Sequence, residues 1–230
     1  MIFVLRFHLG KMTFIISVNG NIACGKSTLL RALEKRGYVV VMEGLDRYQW
    51  GNVLSMYYKN PRRYGYLFQT LVAAEMKETY AALRAGKYEK FTEKDDPKVI
   101  FTERSHVDCL AFAKLVWRQN NMSNVEYQTF KRIYNIMLEQ PDLIISLELA
   151  PEICFERCKA RARECENEML LSYLQEVDST MTEVMSDNQS VENAPKQIKI
   201  NVLGKTTLSI VEEVEKIIGK ASPRAGADLG

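Results

Sequence analysis

Nine consecutive residues near the amino terminus have the types and spacing that bind phosphate. In Gly20-Asn21-Ile22-Ala23-Cys24-Gly25-Lys26-Ser27-Thr28, two glycines five residues apart precede a lysine and a serine. In loops of this pattern the backbone N–H groups surround the phosphates and the lysine reaches the β- and γ-phosphates, while the hydroxyl binds Mg²⁺. The segment therefore predicts a binding site for a nucleoside triphosphate.

The segments on either side of this loop support the same interpretation. The run Thr13–Val18 is apolar and β-branched, as in a buried strand, and Ser27–Lys35 has helical spacing that Gly37 can end. A strand, a glycine loop and a helix start in this order direct backbone N–H groups and a positive helix end at one point. A polyphosphate is expected to bind there.

Two carboxylates and an arginine follow other apolar runs that predict strands. Glu43 follows Tyr38–Met42, and Glu103 and Arg104 follow Val99–Thr102. In parallel sheets, ligands bind outside the carboxyl ends of the strands, so these side chains are candidates for chemistry on the bound phosphates. Phosphoryl transfer needs a base for the acceptor's proton, a metal ion and a cation that neutralises the transferring group. We expect Glu43, Glu103 and Arg104 to serve these needs in that order.

A basic segment follows the fourth predicted strand. It contains Arg157, Lys159, Arg161 and Arg163. Such a run is usually a solvated helix face. In this position it is also typical of a lid whose arginines close over phosphates, and the lid is expected at about residues 159–168.

The remaining pattern alternates strands with helices. Five strands are expected, at Thr13–Val18, Tyr38–Met42, Val99–Thr102, Leu143–Leu149 and Gln197–Leu203. Helices are expected at Ser27–Lys35, before Pro61, at Tyr64–Lys87, Val107–Gln119 and Asn124–Glu139 (capped by Ser123 or Asn124), from Pro151, and at Leu170–Met185 and Thr206–Ile218. Such alternation predicts an α/β fold, with a five-stranded parallel sheet covered by helices on both faces.

Composition narrows the class of protein. The 230 residues, 47% hydrophobic and 26% charged, fit one globular domain, and the net charge of +2 gives no reason to expect a nucleic-acid partner. The five cysteines include no C-x-x-C pair, and only two histidines occur. Reduced thiols are expected, and a zinc site is not.

The two ends are expected to lie outside the domain. Met1–Phe7 is apolar but too short to span a membrane, and no small-residue cleavage site follows it. Residues 1–12 are predicted to be an extension, with Met12 an alternative start, and residues 221–230 to be a disordered tail. The domain then covers residues 13–220, and neither a membrane partner nor a location outside the cytoplasm is expected.

Several ordered blocks make the chain resemble a known family, the deoxynucleoside kinases of the deoxycytidine, deoxyguanosine and mitochondrial thymidine kinase group, including relatives in large DNA viruses. The resemblance covers about residues 13–186. It rests on GNIACGKST at 20–28, the W-G-N-V, M-Y-Y-K-N-P and F-Q-T blocks at 50–70, E-R-S at 103–105, and R-A-R with Glu166 in the basic segment. It implies a P-loop kinase with a lid that phosphorylates the 5′-hydroxyl of a deoxynucleoside. If viral, the enzyme would act in the host cytoplasm.

The resemblance also implies roles for individual residues. Glu43 would be the general base and Arg104 would contact the 5′-hydroxyl and γ-phosphate. Ser27 and Glu103 would serve Mg²⁺, and the whole loop 20–28 with Arg161 and Arg163 would bind ATP. The residues implied to bind the nucleoside are Trp50, Tyr58, Phe68, Gln69, Val72, Met76, Arg104, Phe112 and Glu166. A homodimer formed through the helices at 107–139 is a further expectation from the family.

The nucleoside itself is inferred from one helix face. Gln69, Val72 and Met76 are spaced i, i+3 and i+7, so they lie on the same side of a helix. The amide can pair with a base edge, and thymidine-accepting relatives have Val and Met where this chain has Val72 and Met76. We therefore predict thymidine, with deoxycytidine as a second substrate. Alignment leaves open whether Asp108 or Cys109 faces the base.

Other classes fit less well. A deoxycytidine or purine deoxynucleoside kinase of the same fold is the nearest alternative. A nucleoside monophosphate kinase would lack the E-R-S and F-Q-T blocks, and a guanine-nucleotide switch would carry N-K-x-D, which is absent from the sequence. An inactive relative that only binds nucleotide should have lost Lys26, Glu43 or Arg104, and all three are present.

Overall fold

A five-stranded sheet forms the centre of the structure, which is a computed structural model that describes residues 13–43, 50–87, 99–137, 139–162, 169–190 and 193–221. The strands are β1 (Phe14–Gly20), β2 (Val39–Val41), β3 (Val99–Glu103), β4 (Leu143–Glu148) and β5 (Lys196–Asn201). Their order across the sheet is β2-β3-β1-β4-β5, and every pairing is parallel. The carboxyl ends of all five strands therefore lie at one edge.

In the described residues, helices lie between successive strands and after the last one. They are α1 (Lys26–Lys35), α2 (Trp50–Lys59), α3 (Pro61–Arg84), α4 (His106–Arg118), α5 (Asn124–Met137), α6 (Pro151–Arg161), α7 (Leu171–Gln189) and α8 (Thr207–Ala221). Within the part of the chain that the structure describes, no helix is both long enough and apolar enough to cross a membrane.

Helices cover both faces of the sheet. Successive strand residues point to opposite faces, so neighbouring residues of one strand pack against different helices. Ile16 and Ile145 pack in a core with residues of α1 and α8, whereas Ile144 packs against α4 and α7. On the same side as Ile144, Ile15 and Ile100 pack with α3. The α/β architecture and the doubly covered parallel sheet predicted from the sequence are thus confirmed.

The sequence placed most elements within a few residues, and two differences have clear causes. The long helix α3 begins at Pro61 rather than Tyr64. Proline suits the first helical position, and the side chain of Asn60 caps the helix by accepting a hydrogen bond from the N–H of Arg63 at 3.2 Å. Helix α7 continues to Gln189, beyond the predicted end at Met185, because Val184 and Met185 are buried and hold its last turns against α4.

The cap of α5 is also settled. Ser123 Oγ accepts from the N–H of Glu126 at 3.2 Å, and Glu126 Oε2 accepts from the N–H of Ser123 at 2.7 Å. This reciprocal pair is a capping box, so Ser123 is the N-cap residue. The extension 1–12, residues 163–168 of the expected lid and all of the expected tail after Ala221 lie outside the described residues.

Candidate active site

The predicted phosphate loop connects β1 to α1 and has the backbone shape that the pattern requires. Gly20, Ala23 and Gly25 have positive φ values of 138°, 59° and 115°. A Cβ atom on Gly20 would lie 2.6 Å from the carbonyl oxygen of Leu147, so only glycine fits there. These three positive φ values let the loop turn tightly between the end of β1 and the start of α1.

Lys26 lies inside this loop. Its side chain is buried, and Nζ donates to the carbonyl oxygens of Gly20 at 3.1 Å and Asn21 at 2.8 Å. Residues 22–28 line a large cavity, whereas Gly20 and Asn21 lie behind the loop and line a separate groove beside β4 and α7. Of the nine loop residues predicted to bind ATP, seven therefore face the main cavity. The first two shape the loop and accept hydrogen bonds from the lysine.

Ser27, Glu43 and Glu103 come together from three different elements. Ser27 Oγ donates to Glu103 Oε1 at 2.7 Å, and the backbone N–H of Glu43 donates to Glu103 Oε2 at 3.3 Å. The parallel pairing of β1 with β3, which aligns Val18 with Glu103, brings the end of β3 beside the loop. One carboxylate thus connects the start of α1 with the end of β2.

Arg104 occupies the centre of the site with an unusual backbone. Its φ of 67° is left-handed, which costs a non-glycine residue on the order of 1–3 kcal/mol and persists only where neighbours enforce it. Its N–H donates to the carbonyl of Val18 at 3.0 Å, and its Nε donates to Glu43 Oε2 at 3.1 Å. The guanidinium also lies over the ring of Phe112, 4.8 Å from the centroid. These contacts direct the side chain across the carboxyl end of the sheet.

Two carboxylates, those of Glu43 and Asp108, lie close to the Arg104 guanidinium and balance its positive charge. Burial acts to lower the pKa of Arg104, but attraction to Glu43 and Asp108 outweighs it, so the pKa is raised. Asp108 Oδ2 lies 3.8 Å from Arg104 Nη1, and the carboxyl is buried. Burial raises the pKa of Asp108 to about 6 even though Arg104 acts in the opposite direction. Arg104 does not prevent this rise in the pKa of Asp108 because its guanidinium interacts with two carboxylates and lies closer to Glu43 than to Asp108.

The open question of register in α4 is answered by these contacts. Cys109 and Phe112, one helical turn apart, line the main cavity, whereas Asp108 is directed to Arg104 and lines the groove behind the loop. Burial raises the pKa of the Cys109 thiol to about 12, so it stays neutral. Cys109, and not Asp108, is the residue of α4 that accompanies Phe112 on the cavity wall.

The main cavity has a volume of about 530 Å³ and extends from the phosphate loop to α3. Its end away from the loop is walled by Leu54, Tyr57, Tyr58, Phe68, Gln69, Val72, Met76, Cys109, Phe112 and Tyr173. Gln69 is 3% exposed, and no hydrogen bond joins its amide to another described residue. Because a buried amide needs partners, this end of the cavity suits a planar polar ring held between apolar walls.

Arginines of α6 reach the loop end of the same cavity. Arg157 Nη1 donates to the carbonyl of Cys24 at 3.3 Å, and Arg161 lines the cavity one turn later. Arg163 and Glu166 lie outside the described residues, as does the side chain of Trp50. All other residues predicted for the site line this cavity, apart from Gly20 and Asn21.

Several cavity residues were not predicted. Tyr57 stacks on Phe68 with centroids 5.3 Å apart, and burial raises its pKa to about 12. Tyr173 comes from α7, Lys205 comes from the turn before α8, and Thr207 is the first residue of α8. The sequence held a signal only for Tyr57, which adjoins Tyr58 in the aromatic block before Pro61. Nothing local marks the other three residues.

Comparison with known proteins agrees with this geometry. A family model described as deoxynucleoside kinase matches residues 16–220. The chain is 30% identical over 187 residues to a probable deoxycytidine kinase of fowlpox virus (strain NVSL), covering 81% of this chain and 77% of that protein.

Two animal proteins give similar matches. The chain is 30% identical over 191 residues to deoxycytidine kinase 2 of Gallus gallus, covering 70% of this chain and 69% of that protein. It is 28% identical over 187 residues to mitochondrial deoxyguanosine kinase of Xenopus laevis, with 70% and 69% covered. With a family model matched over most of its length and a phosphate loop between β1 and α1, the chain belongs to the deoxynucleoside kinase family, whose members are P-loop enzymes that phosphorylate deoxynucleosides.

Proposed function

We propose that this kinase transfers the γ-phosphoryl group of ATP to the 5′-hydroxyl of a pyrimidine deoxynucleoside, and that thymidine is its best substrate. The observation that carries the reaction is the connected set of Ser27, Glu43, Glu103 and Arg104 beside the phosphate loop. It combines a carboxylate base, a hydroxyl, a second carboxylate and a buried cation within one cavity. The product, a deoxynucleoside 5′-monophosphate, would enter the salvage of DNA precursors.

In this proposal the charged residues act on the transferring group. Glu43 accepts the proton of the 5′-hydroxyl as the hydroxyl oxygen attacks phosphorus, and the bond from the γ-phosphorus to the bridging oxygen of ADP breaks. Arg104 and Lys26 neutralise the negative charge that develops on the phosphoryl oxygens. Arg157 and Arg161 hold the donor phosphates from the side of α6, and Arg163 would join them.

The residues present fit Mg²⁺. This ion prefers oxygen ligands and is usually held by one or two protein groups together with substrate phosphates. Ser27 Oγ and the carboxylate of Glu103 are 2.7 Å apart and supply such oxygens next to the loop. Bound Mg²⁺ would neutralise charge between the β- and γ-phosphates. Ser27 would hold it directly, and Glu103 would orient it through water.

Thymidine is proposed because of the apolar wall beside Gln69. Val72 and Met76 lie one and two turns from Gln69 on the same face of α3, and all three line the cavity. The residue that joins them from α4 is Cys109, whose thiol is neutral. An apolar slot of this kind accepts the 5-methyl group of thymine. The bases would stack between Phe68 and Phe112, with Trp50 as a further wall, while Tyr58 and Glu166 hold the 3′-hydroxyl.

Deoxycytidine is the second candidate, and purine deoxynucleosides are a third. The names of the fowlpox virus and Gallus gallus relatives refer to deoxycytidine, and that of the Xenopus laevis relative to deoxyguanosine. The amide of Gln69 has both a donor and an acceptor, so a rotated amide can pair with either pyrimidine edge. A methyl group in an apolar slot contributes only about 1–3 kcal/mol, so preference rather than exclusion is expected.

The test is transfer of labelled phosphate from ATP to each of the four deoxynucleosides, with kcat/KM measured for each one. We expect the highest value for thymidine and the next for deoxycytidine. A preference for deoxyadenosine or deoxyguanosine would overturn the substrate assignment but not the reaction. Glu43→Gln serves as the control that separates this activity from contaminating kinases.

We also propose that two copies of the chain associate through the helices at 107–139. Val125 and Ile136 of α5 are each 76% exposed, and their separation of eleven residues places them on one side of that helix. Sedimentation should give a dimer, and replacing Val125 and Ile136 together by Glu should give a monomer. A wild type that sediments as a monomer would refute the association.

A further inference from the structure

A chain of buried hydroxyl groups connects the base-facing helix to the centre of the catalytic turn. Tyr80, on α3, has its hydroxyl oxygen 2.9 Å from Thr102 Oγ1, and Thr102 Oγ1 lies 3.3 Å from the carbonyl oxygen of Arg104. Tyr80 and Thr102 are each 2% exposed, so water does not compete for these bonds.

The direction of both bonds follows from counting protons. The carbonyl oxygen of Arg104 only accepts, so the single hydroxyl proton of Thr102 must be donated to it. Tyr80 must then donate its own proton to Thr102. The series runs from Tyr80 to Thr102 to the backbone of Arg104, and bonds in such a series strengthen one another in a buried setting.

Arg104, whose carbonyl oxygen accepts the last hydrogen bond of this series, is also the residue with the strained backbone. Arg104 has a φ of 67°, and its peptide N–H is held by the carbonyl of Val18. The two hydroxyl groups hold its carbonyl side. A residue in this conformation returns to a relaxed one unless its neighbours prevent it, and such a change would move the guanidinium away from Glu43.

Tyr80 is also placed rigidly with respect to the substrate cavity. It lies four residues after Met76 on α3, and its ring packs in the cluster that contains Ile15, Val41 and Ile100, with Met76 against it. One helix therefore supplies both the residues that face the base and the hydroxyl that supports the catalytic turn.

We propose that Tyr80 and Thr102 are positioning residues that keep Arg104 in its left-handed conformation and so align its guanidinium with the reacting groups. Neither side chain lines the cavity, so neither hydroxyl group contacts the substrate, and the bonded series connects both of them to Arg104. This inference rests on the role proposed above for Arg104 in phosphoryl transfer.

The decisive variant is Tyr80→Phe with Thr102→Val. Removing both hydroxyl groups leaves no buried hydroxyl without a partner, and only the carbonyl oxygen of Arg104 loses a donor, so the urea midpoint of unfolding should fall only slightly below that of the wild type. The kcat should nevertheless fall by about 10- to 100-fold, because a small displacement of a catalytic group has effects of this size. The KM for ATP should change little, and thymidine and deoxycytidine should lose kcat by the same factor.

Two controls distinguish positioning from general damage. Thr102→Ser keeps the hydroxyl and should keep most of the kcat. Tyr134→Phe removes a similar buried bond, from the Tyr134 hydroxyl to the carbonyl of His106 at 3.0 Å, and should lower stability without lowering kcat. A double variant with wild-type kcat, or a loss confined to one nucleoside, would overturn the inference.

The Arg104→Ala background separates this inference from the proposed role of Arg104. If Arg104→Ala lowers kcat, adding Tyr80→Phe and Thr102→Val should lower it no further. All three changes remove the same contribution, that of the aligned Arg104 guanidinium. A further loss would show that the hydroxyl groups act elsewhere and would overturn the inference alone. If Arg104→Ala leaves kcat unchanged, both the role of Arg104 and the inference are refuted.

Discussion

Ser27 Oγ donates a hydrogen bond to Glu103 Oε1 at 2.7 Å, although 76 residues separate them in the chain. The contact exists because β1 and β3 are parallel neighbours that end at the same edge of the sheet. The other oxygen of Glu103 accepts from the N–H of Glu43, so the position of the proposed base depends on the same carboxylate. A change at Ser27 or Glu103 is therefore expected to affect both the proposed magnesium site and the proposed base.

Glu43→Gln should lower kcat by about 10²- to 10⁴-fold, the usual contribution of general base catalysis. An amide keeps an oxygen that can accept the hydrogen bond from Arg104 Nε, so the fold and the position of Arg104 should be preserved. ATP affinity, measured by equilibrium binding without nucleoside, should be close to that of the wild type. Turnover within about threefold of the wild type would remove Glu43 from the proton transfer.

Much of this site could be predicted from the sequence because it follows from sheet geometry. Glu43, Glu103 and Arg104 lie at or just after the carboxyl ends of β2 and β3, and parallel strands bring such residues to one edge whatever the intervening helices are. Lys26 and Ser27 belong to a contiguous motif, so their relation to one another is local. No detail of packing was needed for these predictions.

Which residue of α4 faces the cavity could not be predicted from the sequence, because it depends on the rotation of the helix about its own axis. Moving by one residue along a helix turns the side chain by about 100° around the axis. The left-handed backbone of Arg104 sets where α4 begins relative to β3, and with it the choice of Cys109 over Asp108. Tyr173 was missed for a related reason, since its position depends on how α7 packs across the sheet.

Gly65→Ala should destabilise the protein even though alanine favours helices. In α3 a Cβ on Gly65 would lie 2.7 Å from Val116 Cγ1 and 2.9 Å from the backbone oxygen of Asn121. Propensity would contribute about 1 kcal/mol in favour, but overpacking typically costs about 1–3 kcal/mol, and the backbone oxygen cannot rotate away. We expect a net loss of about 1 kcal/mol in the free energy of unfolding, measured by urea denaturation.

Gly219→Ala in α8 is the matched control. A Cβ there would have no heavy atom within 4 Å, so the helical propensity of alanine should act alone. The expected change is a gain of about 0.5–1 kcal/mol. Equal effects of the two substitutions would contradict a close approach of α3 to α4 at Gly65.

Asp108 should make stability depend on pH. Burial raises its pKa from 3.8 to about 6, while Arg104 and Lys26 lower it and Glu43 raises it. Well below pH 3.8 the carboxyl is protonated in both the folded and the unfolded states. As the pH rises toward and through 6, the unfolded chain releases this proton first, so the contribution of the protonated carboxyl to stability, about 3 kcal/mol, is lost.

The measurement compares urea unfolding of the wild type with that of Asp108→Asn between pH 4 and pH 7. The free energy of unfolding of the wild type should fall relative to the variant as the pH rises over this range. A rise over the same range would mean that the pKa of Asp108 is lowered by Arg104 rather than raised by burial.

The last prediction concerns the base. Met76→Arg would place a cation at the apolar wall formed with Val72 and Cys109. Asp108 is directed to Arg104 and cannot pair with the new cation, and the thiol of Cys109 is neutral. A buried charge without a partner is costly, so kcat/KM should fall by at least about tenfold for thymidine and deoxycytidine alike. Initial rates over a range of nucleoside concentrations measure this change.

Cys109→Asp added to Met76→Arg supplies the missing carboxylate from the α4 residue that faces the cavity. The paired charges should restore activity toward deoxycytidine more than toward thymidine, because the arginine occupies the space of the 5-methyl group. Cys109→Asp alone, with a buried carboxylate and no cation beside it, should be impaired with both nucleosides. If Met76→Arg by itself favours deoxycytidine with undiminished kcat/KM, then Asp108 reaches the base after all, and the assignment of Cys109 to the wall is wrong.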